Sequence, residues 1–298
     1  MRLKLLVLIT SLAAAAASGE PLRVATLLPC VADAVVKLPP ERAVLVATVR
    51  TSLHEPVAAG VVDLGTPHAP SLERLAEARP QLVVAEQRLH GTQADQLGRA
   101  AELLLIDTSS IDATFAGLVA VAQRAGASAE MEARVAEARA ALGELQLEAP
   151  IPTLALFATP GAFLAVTDTT WIGDLMGRLR LASVAPAAPH GGAMPGYVPL
   201  SDEVLAGLRP ELLLLLSHGD PVRVQAEFTR RLEGGPWAGL RASAKRGVHV
   251  LDPVLFQSNP GLDIVAAGRS LVAIARRSLV AITGRPLAAT GAAGDGQP

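Results

Sequence analysis

The 298-residue chain has few aromatic residues, one cysteine and no cluster of positive charge. Five Phe, two Trp and one Tyr leave the core to be built from aliphatic side chains. A single cysteine excludes a disulfide framework and a CxxC-type zinc site. The net charge is −2, and no Lys/Arg run is present, which argues against nucleic acid as a partner.

Sequence motifs of the common nucleotide-binding and hydrolytic enzymes are also missing. No GxGxxG follows the first predicted strand, and neither GxxxxGK[ST] nor GxSxG occurs. We therefore expect a protein that is not an enzyme. A metal-dependent hydrolase that uses the histidines is an alternative without a positive motif.

The first residues of the chain are typical of an export signal. A short basic start precedes the apolar run Leu5–Leu12 and the small residues Ala13–Ala17. This order predicts a signal peptide over residues 1–19, and hence a periplasmic protein after cleavage. The apolar run is too short for a membrane span of about 20 residues.

Half of the residues are hydrophobic, and apolar strands alternate with short helices along the chain. This alternation predicts an α/β fold of two Rossmann-like lobes with parallel sheets, joined by one long backbone helix. A ligand cleft is expected between the lobes, because parallel sheets bind ligands at the carboxyl ends of their strands. The predicted boundaries are 22–125 for the N-terminal lobe, 126–150 for the inter-lobe helix, 151–285 for the C-terminal lobe and 286–298 for a flexible tail.

Four stretches of the sequence carry a family resemblance. They are Leu27–Asp33, Pro70–Ala85, Pro199–Pro210, and Leu251–Pro253 with Asn259–Gly261. In this order they resemble the helical-backbone periplasmic substrate-binding proteins of ABC importers, over residues 22 to 283. The resemblance implies a monomer that captures an iron-siderophore, haem or cobalamin in the inter-lobe cleft and delivers it to a permease. It implies no built-in cofactor, since the metal chelate or metal ion is the transported ligand.

Glu73 and Glu203 occupy equivalent places in two of these stretches, each on a short predicted helix. The resemblance implies that both dock on the permease, where they pair with arginines. One carboxylate on each lobe suits that role, because complementary charges set the register of an interface. The alternative is that both are ordinary glutamates on solvated helix faces.

Six histidines raise the question of the ligand. His68 lies in the loop Gly65–Pro70, which resembles a loop that can carry an axial iron ligand in the haem-binding members of the family. His68 is therefore the first ligand candidate, with a histidine that packs or caps the loop as the alternative. His54 and His218 follow predicted strands, where the carboxyl ends of a sheet would bring them to a cleft. His90 and His190 are candidates for the rim of the cleft, and His249, inside a strand, is assigned to structure.

The sequence also leaves a bare metal ion possible as the cargo. His54, His68 and His218 with one carboxylate would suit zinc, manganese or iron, which makes a free transition-metal receptor an alternative. No HxH or HExxH spacing requires such a site. The scarcity of aromatic rings weakens haem and cobalamin, because flat macrocycles usually stack on several rings.

Three further residues are candidates for contact with the ligand. Tyr197 lies in a loop rich in Gly and Pro, and either binds ferric iron as a phenolate or anchors the loop. Arg50 suits bidentate binding of a carboxylate or catecholate, with a solvated charge as the alternative. Cys30 is expected to be a small buried packing residue in preference to a thiolate ligand.

Overall fold

The computed structural model describes residues 19–50, 58–159, 161–187, 194–218, 220–240, 247–256 and 258–283. Residues 1–18 of the predicted signal peptide and the whole of the predicted tail lie outside these residues. The chain divides into two compact units. The first contains the residues up to Glu144 with 168–175 and 252–265, and the second contains 145–167, 176–251 and the residues from Ala266. The predicted lobe boundaries and the linking role of the long helix stay predictions.

A parallel sheet forms the centre of the first unit. In chain order the strands of this unit are β1 (Leu22–Thr26), β2 (Ala43–Thr48), β3 (Val62–Asp63), β4 (Gly65–Thr66), β5 (Ala69–Pro70), β6 (Leu82–Glu86) and β7 (Glu102–Ile106). The sheet has the order β3-β2-β1-β6-β7 with every pair parallel, whereas β4 and β5 form an antiparallel hairpin. Every residue of β6 is buried, as expected for a parallel strand covered on both faces.

Along the described part of the chain, six helices alternate with these strands or follow them. They are α1 (Pro29–Val36), α2 (Leu72–Glu77), α3 (Gln87–His90), α4 (Ala94–Leu97), α5 (Ile111–Arg124) and α6 (Ser128–Gly143). Helix α1 begins at Pro29, because proline is well tolerated at the first helical position, where its missing N–H is not needed. The long predicted helix ends at Gly143, since glycine has low helix propensity.

The second unit contains a six-stranded sheet. Its strands are β8 (Ile151–Thr159), β9 (Ala162–Val166), β10 (Leu181–Ser183), β11 (Tyr197–Pro199), β12 (Leu212–Ser217) and β13 (Val248–Val250). The pairs of β8 with β10, β8 with β12 and β12 with β13 are parallel. Strand β9 runs antiparallel to both β8 and β11, so this sheet is mixed. Gly161, at φ +91°, lets the chain turn back from β8 into β9, because glycine adopts this conformation readily.

The remaining helices follow in the same order along the chain. They are α7 (Trp171–Arg178), α8 (Asp202–Gly207), α9 (Pro221–Leu232), α10 (Gly235–Ala238), α11 (Pro253–Phe256) and α12 (Ile264–Thr283). Three of the scarce aromatic residues fill the core of the second unit, where the Phe163 and Phe228 rings lie 5.5 Å apart and Trp237 contacts both. Among the described residues, no helix has the length and apolar character needed to cross a bilayer.

Asn259 fixes the late segment of the chain in the first unit. Its side-chain nitrogen donates to the Thr108 carbonyl at 3.1 Å and to the Thr114 hydroxyl at 2.8 Å. Its side-chain oxygen accepts from the Gly261 N–H at 2.9 Å. Gly261 has φ +58°, and a Cβ there would come within 2.8 Å of the Cys30 Cβ. The Asn-Pro-Gly motif therefore serves close packing of this segment on α1.

Candidate functional site

His68 lies on a short hairpin beyond the carboxyl end of β3. Pro67 and His68 form the turn between β4 and β5, and the His68 side chain is exposed. The base of the hairpin is held by Asp63, whose carboxylate accepts the Gly65 N–H at 2.8 Å. The hairpin thus presents an imidazole to solvent from a braced position.

Arg50 follows β2 at the same edge of the first sheet. Its Nε lies 2.8 Å from the second carboxylate oxygen of Asp63, and its side chain remains 61% exposed. The ion pair orients the guanidinium, and the exposed part can still meet an anionic group by charge-assisted hydrogen bonds.

Arg88 is a candidate that the sequence analysis does not include. It is an exposed residue of α3, directly after the carboxyl end of β6. Burial alone would raise the pKa of Asp107, but hydrogen bonds from Ser109 and the positive charge of Arg88 outweigh it, and the pKa is lowered. The position of Arg88 just after a predicted strand is the signal that could have identified it.

His90 does not form a rim that is open to solvent. Its side chain is fully buried, with Nε2 2.9 Å from the Pro67 carbonyl and Nδ1 3.0 Å from the backbone nitrogen of Glu86. This histidine therefore lies behind the turn that carries His68.

The second unit has aromatic side chains at the corresponding edge of its sheet. The Phe157 ring on β8 lies 4.9 Å from the Tyr197 ring and 5.2 Å from the His218 ring, between centroids. We call Tyr197, Phe157 and His218 the aromatic row; all three side chains are half-buried. His218 follows β12 directly. Its backbone N–H donates to the Ala158 carbonyl at 2.8 Å, which continues the hydrogen-bond ladder between β12 and β8.

The electrostatics of Tyr197 bear on its predicted role as a phenolate. Burial raises the pKa of this tyrosine, so the phenol stays protonated at neutral pH. A ferric ion bound to its oxygen would have to displace that proton. Tyr197 is better suited to ring contacts within the aromatic row than to a preformed anionic site.

Glu73 and Glu203 occupy the same position in two matching helices. Helices α2 and α8 each have six residues and begin after a serine cap, Ser71 or Ser201, whose hydroxyl accepts a backbone N–H. Each glutamate is the second helical residue, and both side chains are exposed. The equivalence of the two places is thus visible in the local structure, while docking through them stays a prediction.

The other predicted positions have simpler outcomes. His54 and His190 lie outside the described residues. His249 agrees with its predicted structural role: its Nε2 lies 2.7 Å from the Ser278 hydroxyl, and burial together with Arg277 lowers its pKa. Cys30 is 2% exposed, and burial, with a smaller effect of Asp33, raises the pKa of its thiol to about 12, which agrees with a packing role.

A bare metal site is not assembled in the part of the chain that the structure describes. Within these residues, no group of three or more His, Cys, Asp or Glu side chains could hold a metal ion. The site predicted from His54, His68 and His218 includes a residue outside the described ranges, so it stays a prediction.

Comparison with protein families identifies the class of the chain. Residues 24–255 match the family described as periplasmic binding protein. The match covers most of the sequence, and the chain belongs to this family.

Two curated relatives are similar in sequence. The chain is 27% identical over 196 residues to the Fe(3+) dicitrate-binding periplasmic protein FecB of Escherichia coli K12, which covers 63% of this chain and 61% of the relative. It is 27% identical over 111 residues to the high-affinity heme uptake system protein IsdE of Staphylococcus aureus strain Newman, which covers 37% and 36%. The chain thus matches less than two thirds of the length of either relative.

Solved structures show the same fold. Staphylococcus aureus IsdE complexed with heme superimposes with a TM-score of 0.72 at 20% identity, over 86% of this chain and 99% of that one. An ABC transporter substrate-binding protein from Listeria monocytogenes EGD-e gives 0.69 at 20% identity, over 85% and 98%. The petrobactin-binding protein YclQ of Bacillus subtilis gives 0.68 at 15% identity, over 87% and 92%.

Proposed function

We propose that this chain is the substrate-binding component of an ABC importer, and that it captures an iron complex and delivers it to a permease. Membership of the periplasmic binding protein family supports a binding role rather than catalysis. The printed names of two relatives, one for ferric dicitrate and one for heme uptake, support iron complexes as the class of cargo.

The ligand that fits the candidate residues best is ferric haem. The observation that carries this choice is the aromatic row, because a conjugated macrocycle gains from contact with several rings at one place. His218 in this row and the exposed His68 of the other unit each supply an imidazole of the kind that binds haem iron axially. The low aromatic content of the whole chain does not oppose this, since two of its few rings gather at the row.

An anionic ferric chelate such as ferric citrate is the second candidate. Arg50 and Arg88 follow β2 and β6, the two strands that flank β1 in the first sheet. Two exposed guanidinium groups at one sheet edge suit the carboxylates of citrate, and equally the propionates of haem.

The experiment that separates these candidates is a titration of the purified, ligand-free protein with hemin and, separately, with ferric citrate. We expect hemin to bind with one-to-one stoichiometry and to give the spectrum of a haem with a histidine nitrogen at the iron. His68→Ala and His218→Ala test the two candidate imidazoles separately. Replacement of the imidazole that binds iron should change that spectrum and weaken binding by about tenfold or more, since it removes an iron–nitrogen bond. His249→Ala is the matched control, and its haem spectrum should equal that of the wild type.

Other results would redirect the proposal. Ferric citrate binding without hemin binding, lost in Arg50→Ala or Arg88→Ala, would replace haem by an anionic chelate. Stoichiometric zinc or manganese that is lost on His68→Ala would instead support the free-metal receptor. Binding of none of these probes would contradict the proposed class of cargo.

Delivery to the permease is proposed to use Glu73 and Glu203. Both carboxylates are exposed at identical helix positions, and a matched pair of acidic groups suits recognition by cationic side chains of a membrane partner.

A further inference from the structure

His90 forms two hydrogen bonds that together define its protonation. The backbone N–H of Glu86 donates to Nδ1 at 3.0 Å, so Nδ1 carries no proton. The ring is then the Nε2–H tautomer, and Nε2–H donates to the Pro67 carbonyl at 2.9 Å. A fully buried neutral histidine thus connects the end of β6 with the turn that carries His68.

The acceptor of this bond has a direct geometric link to His68. The Pro67 carbonyl and the His68 nitrogen belong to one planar peptide unit. When Nε2–H of His90 fixes that carbonyl, it fixes the peptide plane from which the His68 side chain departs. The contact therefore acts on the orientation of His68 without touching its ring.

The rest of the hairpin is held by other groups. At its base, Arg50 N–H donates to the Gly65 carbonyl at 2.7 Å, and Ser71 N–H donates to the Leu64 carbonyl at 2.8 Å. The base should therefore persist when His90 is replaced, and the effect should be confined to the tip.

The element that carries His90 is itself fixed. The carboxylate of Glu86, buried at the end of β6, accepts the Leu89 N–H at 2.6 Å and caps α3. The imidazole thus projects from a capped helix turn at the end of a central strand, which makes it a rigid support for the turn.

We infer that His90 is a positioning residue that holds the Pro67–His68 turn in the orientation in which His68 binds iron. The inference rests on the proposed function, in which His68 is a ligand of the cargo. Its physical basis is preorganisation: a donor that is already oriented loses less conformational freedom on binding. A replacement that leaves the Pro67 carbonyl without its donor also favours other turn conformations.

Two substitutions separate the two hydrogen bonds. In His90→Asn the side-chain oxygen can still accept from the Glu86 N–H, but the side chain is too short to reach Pro67. In His90→Gln the longer amide can donate to the Pro67 carbonyl. The matched control is His249→Asn, which removes a histidine hydrogen bond in the second unit.

The test is a double-mutant cycle with His68→Ala, read as the dissociation constant for hemin. We expect His90→Asn to weaken hemin binding about five- to tenfold when His68 is present, the size of one lost hydrogen bond. In the His68→Ala background it should cause no further loss, and His90→Gln should recover most of the affinity. Equal losses in both backgrounds, or none in either, would overturn the inference.

A measurement without ligand separates this inference from the proposed function. Long-range nitrogen–proton NMR on the wild-type protein should show His90 protonated at Nε2 and unprotonated at Nδ1. In His90→Asn, the amide signals of Thr66, His68 and Ala69 should shift or broaden, while those in His249→Asn should not. A proton on Nδ1, or an unchanged turn in folded His90→Asn, would refute the positioning role even if hemin binds. Conversely, wild-type hemin affinity in His68→Ala would refute the role of His68 and leave the NMR result standing.

Discussion

The segment from Ser71 to Arg88 in the first unit and the segment from Ser201 to His218 in the second follow the same path. Each runs from a serine-capped helix through an Arg-Pro turn into a buried parallel strand. They align without a gap at an offset of 130 residues, and seven of the first twelve positions are identical: Ser, Glu, Leu, Ala, Arg, Pro and Leu. This shared part includes one buried leucine in each helix and the exposed glutamate that is proposed to dock on the permease.

The two segments differ at the turn and at the residues after the strand. In the first unit, Arg79 of the turn has φ +46°. In the second unit, α8 is followed by Leu208, whose backbone is extended. At the far end, Arg88 corresponds to His218, so a charged and exposed side chain stands where the other unit has a half-buried ring. The repeated part thus has the same local path in both units, whereas the side chain that follows the strand differs in charge and burial.

The largest effect is expected on uptake, from reversing the charge of the two shared glutamates. The double variant Glu73→Lys with Glu203→Lys should abolish uptake of radiolabelled iron complex by cells that carry the importer, because both charges proposed to dock on the permease are inverted. Hemin affinity of the purified variant should remain that of the wild type. Glu77→Lys is the matched control on α2, at a position where the second unit has Gly207, and it should leave uptake intact. Uptake at the wild-type rate in the double variant would contradict docking through these residues.

A smaller effect on ligand binding should follow from replacing Phe157 or Arg88, which lie at the sheet edges where the two units differ. Phe157→Leu should weaken hemin binding about three- to tenfold, the scale of aromatic contacts beyond simple burial, and leave any ferric citrate binding unchanged. Arg88→Gln should show its larger effect on ferric citrate, since it removes a charge-assisted contact. Isothermal titration with both probes measures this, and identical losses for both probes in both variants would argue against a division of chemistry between the units.

The smallest expected effect is a loss of folding stability at acidic pH, caused by His249, which lies on β13 beside β12. Its pKa is lowered in the folded state, so below the ordinary pKa of 6.5 the unfolded chain binds the proton more readily than the folded chain. Stability should therefore fall as the pH decreases below that value. The free energy of unfolding, measured by urea denaturation between pH 7 and pH 5, should decrease more in the wild type than in His249→Asn. Parallel pH profiles would show that this histidine does not contribute.

Much of the scaffold could be predicted because its signals are local. The apolar run after Pro80 lies in β6, and the two short predicted helices that carry Glu73 and Glu203 are present as α2 and α8. Helix α1 is not among the elements predicted from the sequence; it begins with a proline, which the first helical position accepts. Strands β3, β4 and β5 have two residues each, too few for a periodic pattern.

The candidate site depends more on tertiary structure. The aromatic row joins residues far apart in the sequence, Phe157, Tyr197 and His218, which meet through the pairing of β8 with β12 and of β9 with β11. Sequence also gives no measure of burial for an isolated histidine, so His90 is a candidate for the rim of the cleft on the sequence, although its side chain is fully buried. Arg88 resembles any surface arginine until its place after β6 is known.

The close packing of Cys30 against Gly261 has a practical consequence. The thiol is the sole cysteine of the chain, is buried, and has a pKa of about 12, so almost none of it is thiolate at neutral pH. Maleimide dyes should leave the folded protein unlabelled. A cysteine introduced on an exposed helix face can therefore carry a single fluorophore, with the natural thiol silent until the chain unfolds.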